Sequence, residues 1–329
     1  MNNFTGCILS LLVSIALPIS ANVSASEDET LKEKIVDAAQ NIDRLPFVDF
    51  NALISGRPGD RYTAMRERPT AFHALHTDPR FSFSMYFPEG FLESPDDYRL
   101  LVLIHGSGRN AGEYRNAFKE YADRNKFVLL APLFPVGVYG NGYADGYKFL
   151  SEKETRYDLV LLEMVEELSK ACSCDFGRFY LYGFSGGGQF AHRFLYVHPE
   201  RLKSVSIGAP GLATKINDSS PWFFGTAGFA EKFGTELDLD AIKTVPVQII
   251  VGDQDVRPMP VPNAYKGIVA ELVGEYGDNR LENMKVLQDH YAQMGLQTEL
   301  KVISGVGHEG LKMAPYVMGF FVDVRNRSK

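Results

Sequence analysis

The chain has 329 residues, of which 45% are hydrophobic and 23% charged, and carries a net charge of −7. Those proportions are ordinary for a globular protein long enough to bury a large core, and one α/β domain with insertions accommodates them better than two domains. An acidic balance without a basic cluster makes nucleic acid and anionic membrane surfaces poor partners.

Residues 1–25 contain no charged side chain, and their apolar core, 7–17, is too short to span a bilayer. Val23-Ser24-Ala25 offers a cleavage site, and the acidic Glu27-Asp28-Glu29 follows. The segment reads as a secretory signal peptide, so the mature chain is expected to be secreted or periplasmic and free of the membrane after cleavage. The alternative is an uncleaved anchor, since the α-amino group is the one positive charge ahead of the apolar core. Removal of the signal leaves Cys172 and Cys174. One residue apart, they could close a strained disulfide, stay reduced or cross-link chains. We read them as structural, at a helix end, and no second Cys or His pair nearby suggests a metal site.

Residues 26–79 form an N-terminal extension, with an amphipathic helix over 30–43 and an irregular stretch rich in Arg, Gly and Pro over 57–70. His73 and His76 read as surface or packing residues. Residues 81–87 alternate strictly, which predicts a half-buried edge strand. Residues 99–104 are a continuous apolar run, typical of a central parallel strand. They lead into His105-Gly106-Ser107-Gly108. A helix over 112–124, a strand over 127–132, a Gly- and Tyr-rich loop over 137–147 and a helix carrying Tyr157, Leu161, Met164, Val165 and Leu168 follow. A strand before Gly183 and a helix after Gly187 bracket Ser185. Next come a strand over 202–207, an aperiodic stretch over 212–243, and a strand over 247–251 ending in Gly252-Asp253-Gln254-Asp255. Helical segments fill 262–294, the best placing Met284, Leu287, Tyr291 and Met294 together. The last strand, 298–303, ends in Gly305-Val306-Gly307-His308, and a closing helix buries Met313, Tyr316, Val317, Phe320, Phe321 and Val324. Strands alternating with helices predict an α/β fold: a doubly wound, mostly parallel sheet with helices on both faces, over residues 80–329. In such sheets the chemistry gathers at the carboxyl ends of the strands.

Gly183-Phe184-Ser185-Gly186-Gly187 has the spacing of a nucleophile elbow, in the strand-to-helix context that motif needs. The turn leaves no room for a Cβ two residues either side of the serine, and it strains the serine backbone so that Oγ stands above the sheet. Ser185, Asp255 and His308 each follow a strand end, in the order nucleophile, acid, histidine. A serine hydroxyl needs a base, and the imidazole needs a carboxylate to fix its tautomer. Asp253 is the alternative acid. Glu309 is set aside because adjacent side chains point apart. The oxyanion is expected on the N–H of Gly186 and on an N–H of the loop after the 99–104 strand, Ser107 first and Gly108 as its neighbour. His105 reads as structural rather than catalytic, and His192 and His198 as packing or surface residues.

His105-Gly106, Gly183-Phe184-Ser185-Gly186-Gly187-Gly188-Gln189, Gly252-Asp253-Gln254-Asp255 and Gly305-Val306-Gly307-His308 resemble the α/β-hydrolase superfamily. Within it, the chain is most similar to secreted esterases related to poly(3-hydroxybutyrate) depolymerases and feruloyl esterases, over about residues 80–325. The resemblance implies a serine hydrolase of the carboxylesterase type, needing no metal or cofactor, with a small-molecule or polymeric ester as substrate. Residues 212–243 would then be a short lid, and Trp222, Phe223 and Phe224 would line an apolar pocket unless they are ordinary core. A serine peptidase on the same scaffold and a catalytically silent binding protein stay open as alternatives. The oligomeric state is not readable.

Overall fold

Residues 70–258 and 276–327 are described by a computed structural model. The expected signal segment, the 30–43 helix, the 57–69 stretch and the first part of the 262–294 helical region lie outside them. The strands are β1 (His73–Ala74), β2 (Ser82–Tyr86), β3 (Arg99–Ile104), β4 (Phe127–Leu133), β5 (Ser151–Glu152), β6 (Thr155–Arg156), β7 (Phe179–Phe184), β8 (Leu202–Gly208), β9 (Val247–Gly252) and β10 (Thr298–Ile303). The helices are α1 (Ala111–Asn125), α2 (Tyr157–Cys172), α3 (Gly186–Val197), α4 (Phe229–Phe233), α5 (Leu239–Lys243), α6 (Arg280–Met294) and α7 (Ala314–Arg327). Among the described residues no helix is long and apolar enough to cross a membrane.

Eight strands form one sheet in the order β1-β2-β4-β3-β7-β8-β9-β10, and β5 and β6 form a small hairpin. From β4 through β10 every neighbouring pair runs parallel, while β1–β2 and β2–β4 are antiparallel. The chain lays down β3, steps to β4 on one side, then crosses β3 to add β7 on the other. That reversal opens a crevice outside the carboxyl ends of β3 and β7, the place where open α/β sheets bind ligands.

The central strands are apolar because helices cover both their faces. Leu100 through Ile104 of β3 have no solvent exposure, and burying each such side chain contributes about 1.5–3 kcal/mol. α3 is buried over most of its surface, with Phe190 and Phe194 stacked at 5.7 Å.

Two expectations need correcting. Residues 82–86 do not make a half-buried edge. Phe81, Phe83, Ser84 and Met85 are fully buried, because β1 pairs along the outer side of β2 and β4 along the inner. The alternation Phe–Ser–Phe–Ser puts small Ser84 on the crowded face rather than in solvent. In the closing helix Tyr316 is 41% exposed and Phe320 only half-buried, while Met318 is buried with Val317 and Phe321. Met313 sits in a 3₁₀ turn ahead of α7, which rotates the apolar stripe of the helix relative to the sequence reading.

Cys172 closes α2 and Cys174 follows a left-handed Ser173; both are free thiols, and Cys174 Sγ donates to the carbonyl of Cys172 at 3.2 Å. His198 is neither loose on the surface nor merely packed. Its Nε2 meets Asp158 Oδ2 at 2.8 Å, and Arg156 grips both oxygens of that fully buried carboxylate. Burial alone would raise the Asp158 pKa. The His198 and Arg156 hydrogen bonds outweigh it and hold the carboxyl below its ordinary 3.8. A depressed carboxylate pKa stabilises the fold above the unfolded value and stops doing so as pH falls through the folded one. Asp158→Asn, which strands a guanidinium, is therefore expected to cost about 3 kcal/mol at neutral pH. The gap to wild type should narrow as pH falls below the ordinary carboxylate range and vanish only once the native carboxyl, held lower still, takes up its proton. Urea unfolding at pH 7 and pH 3 checks both halves, and a gap that stays constant with pH contradicts the assignment.

Candidate active site

The elbow is built by close approach of backbone to backbone. A Cβ on Gly187 would fall on the carbonyl oxygen of Ile104, and one on Gly183 on the carbonyl oxygen of Gly187. With glycine at both, β7 can turn straight into α3. Ser185 takes φ 57° and ψ −112° at that turn, outside the regions L-residues favour. Its N–H donates to Gly208 on β8 at 2.8 Å, and its carbonyl accepts from Gln189 at 3.0 Å. The strained residue is thus held from both sides. Gly186 is the first residue of α3.

The loop after β3 lies against this turn, since a Cβ on Gly106 would meet Ser185 Cβ at 3.6 Å. His105, fully buried, locks the loop. Its Nδ1 donates to the carbonyl of Gly106 at 2.8 Å, and its Nε2 accepts from the N–H of Phe134 at 3.0 Å. These two partners fix a neutral Nδ1–H tautomer, and burial pushes the pKa down to about 4. Gly106 O also accepts from Arg109 N–H at 3.2 Å. In a trans peptide the C=O and the next N–H point opposite ways. Tying down Gly106 O therefore turns the Ser107 N–H to the other side. Arg109 adds a brace. Its guanidinium donates to Ser107 O at 2.8 Å and to Phe134 O at 3.3 Å, and lies 5.0 Å from the Tyr147 ring. Among the described residues neither Ser107 N–H nor Gly186 N–H donates a hydrogen bond. The Tyr147 hydroxyl and Lys148 Cε crowd Gly186; the Lys148 ammonium pairs with Asp145 at 2.5 Å. No sequence motif marks out Tyr147 or Lys148.

His308 and Asp255 meet. His308 Nδ1 donates to Asp255 Oδ2 at 2.6 Å, and Asp255 is 2% exposed. The imidazole lies 4.7 Å from the ring of Phe184, the residue before Ser185. The two turns that carry the pair are laced together: Asp253 N–H donates to Ile303 O and Gln254 N–H to Val306 O, both at 3.0 Å. Asp253, the competing acid, accepts from Gly305 N–H at 2.8 Å and braces that junction. Glu309 points outward to Lys312. Of the two His–Asp pairs described, His198–Asp158 lies where α3 ends, away from the strand carboxyl ends, and only His308–Asp255 shares the rim with Ser185.

The three aromatics of the 212–243 stretch differ in burial, although the Phe223 and Phe224 rings stack at 4.8 Å. Phe224 is buried, and its carbonyl accepts from the Tyr276 hydroxyl at 2.9 Å. Trp222 is partly buried against Phe229 and Phe233. Phe223 is half-buried, with its ring 4.0 Å from that of Phe149, which follows Lys148. Buried Arg193 on α3 ties the stretch to the elbow helix. It donates to Thr214 Oγ1 at 2.9 Å, Leu212 O at 3.1 Å and Lys148 O at 2.5 Å. Burial pulls its pKa down to about 9. His192, also buried, donates to Gly188 O and accepts from Thr214 N–H, both at 2.9 Å.

No family profile matches the chain. Among curated proteins, a Probable 1-acylglycerol-3-phosphate O-acyltransferase from Oryza sativa subsp. japonica is 26% identical over 152 residues, 46% of this chain and 34% of that protein. The match thus spans about a third of that relative. Among solved structures, the LpqC poly(3-hydroxybutyrate) depolymerase from Bordetella parapertussis superposes with a TM-score of 0.65 at 24% identity, covering 85% of this chain and 95% of that one. A ferulic acid esterase superposes with a TM-score of 0.53 at 13% identity, covering 78% and 97%. The architecture of this chain is therefore the α/β-hydrolase fold.

Proposed function

We propose that the chain is a serine hydrolase that cleaves carboxylic esters through an acyl-enzyme. The observation that carries this reading is the 2.6 Å bond from His308 Nδ1 to Asp255, at the rim of the crevice that also holds strained Ser185. With Nδ1–H committed to the carboxylate, Nε2 is free to accept the proton of Ser185 Oγ. Oγ adds to the ester carbonyl, and the negative charge that develops on its oxygen is taken by the N–H groups of Ser107 and Gly186. His308 returns the proton to the departing alkoxide, which leaves as an alcohol. Water, deprotonated by the same imidazole, then releases the acid and restores the serine.

Phe223 with Phe149 offers the apolar side of the crevice, and Lys148 the polar one. We read residues 212–243 as the wall, or lid, over that side, held by Arg193. The fold neighbours include a poly(3-hydroxybutyrate) depolymerase and a ferulic acid esterase, which supports an ester substrate; small and polymeric esters are both candidate substrates. Export, with removal of residues 1–25, belongs to the same proposal. The test is hydrolysis of a short-chain p-nitrophenyl ester. Ser185→Ala is expected to lower kcat by about 10⁶-fold and to abolish labelling by a fluorophosphonate. Equal rates for the two proteins would end the assignment.

A further inference from the structure

Arg280 opens α6, a helix the sequence reading valued only for its apolar face. Asn279 caps it by accepting from Glu282 N–H at 3.0 Å. The backbone N–H of Leu281 reaches the carbonyl of Asp255 at 3.4 Å, so the start of α6 is seated on the acid's own turn. The Arg280 side chain is 11% exposed, and its Nη1 stands 3.7 Å from Asp255 Oδ1. Among the described residues nothing hydrogen-bonds two buried polar atoms here, Asp255 Oδ1 and Arg280 Nε. A carboxylate oxygen with no donor, and a guanidinium with a donor unused, are costly unless the two charges offset one another.

We infer that Arg280 is a positioning residue for the proposed triad: its guanidinium holds the second oxygen of Asp255 and so fixes the carboxylate that orients His308. The inference rests on the serine-hydrolase reading above. Among the described residues the charged groups around Asp255 come from three places. His308 arrives from the loop after β10 and Arg280 from α6. Arg257 lies two residues on in the same turn, with its charge felt at Arg280. Asp253 is committed to Gly305 N–H, and Glu282 to the Asp278 N–H at the helix cap. Among the described residues Arg280 is thus the buried cation closest to the oxygen that His308 leaves unused.

The sign of the effect follows. With the guanidinium removed, the negative charge of Asp255 is less offset, and the neighbouring imidazole keeps its proton to higher pH. A protonated imidazole cannot take the serine proton, so the acid limb of kcat/KM moves upward. Arg280→Met is expected to move that limb upward. Loosened orientation should also lower the plateau kcat by about 10-fold, with KM within twofold. Arg280→Lys, which keeps the charge, should stay within about threefold of wild type with an unmoved limb. If the Met protein does not fold, Arg280→Gln removes the charge while keeping the length and polarity of the side chain. The low-field proton resonance of the His308–Asp255 hydrogen bond gives a readout independent of turnover, and its pH midpoint should move with the limb. Unmoved limb and resonance in the uncharged variants, or equal losses in Lys and Met, would overturn the inference. Ser185→Ala assayed alongside separates the two ideas. If it still hydrolyses the ester, the serine-hydrolase reading fails. If it is dead and Arg280→Met is normal, only the role of Arg280 fails.

Discussion

Asp255→Asn is expected to lower kcat/KM for ester hydrolysis about 10⁴-fold, and Asp253→Asn to leave it within about threefold. The two acids are two residues apart in one turn, and the sequence permits either. Their surroundings differ. Asp255 is buried and accepts the Nδ1 proton of His308 at 2.6 Å. Asp253 is half-exposed and accepts a backbone N–H from Gly305. An amide at 255 would turn its NH₂ toward Nδ1, drive the ring proton to Nε2, and leave no base facing Ser185. The loss should fall on kcat, since nothing that binds substrate has changed. An amide at 253 can still accept from Gly305 through its oxygen. Steady-state kinetics at pH 8 on both variants decides the matter. A large loss at 253 with little at 255 would reassign the acid.

His105→Leu should lower kcat by about 10²–10³-fold, the usual cost of losing one oxyanion donor, with KM almost unchanged. The imidazole does not touch substrate. It fixes the peptide between Gly106 and Ser107 by donating to one end, and fastens it to β4 through the N–H of Phe134. Leucine fills the space but supplies neither bond. The Gly106 carbonyl is then free to rotate, and the Ser107 N–H goes with it. A boronic acid that mimics the tetrahedral intermediate should lose affinity in step with kcat, which an effect on folding alone would not produce. Because burial holds His105 neutral, with its pKa pushed down to about 4, its protonation adds no feature to the pH–rate profile near neutrality. A variant with unchanged kcat and unchanged boronate affinity would show that Arg109 and Tyr147 hold the loop without it.

Much of the frame was legible because local pattern and tertiary fate agree. The apolar run before His105 became β3, and Gly183 and Gly187 flank a turn with no room for a Cβ. Helix faces were less secure. The stripe of α7 leaves Tyr316 in solvent, since periodicity gives a spacing but not the phase at which the preceding 3₁₀ turn delivers the helix. Residues 81–87 read as an edge because alternation cannot distinguish solvent from a crowded face that admits only serine.

The sequence alone determined the order of the strands, the residue types at their ends and the backbone freedom that makes an elbow feasible, because these depend on neighbours along the chain. Which acid meets His308, which way the Ser107 amide faces, and that Arg280 stands behind Asp255 were decided only in three dimensions. Each depends on groups brought together from distant parts of the chain by the parallel sheet. Hydrogen-bond partners at 2.6–3.0 Å are set by that packing and leave no mark in the local order of residues.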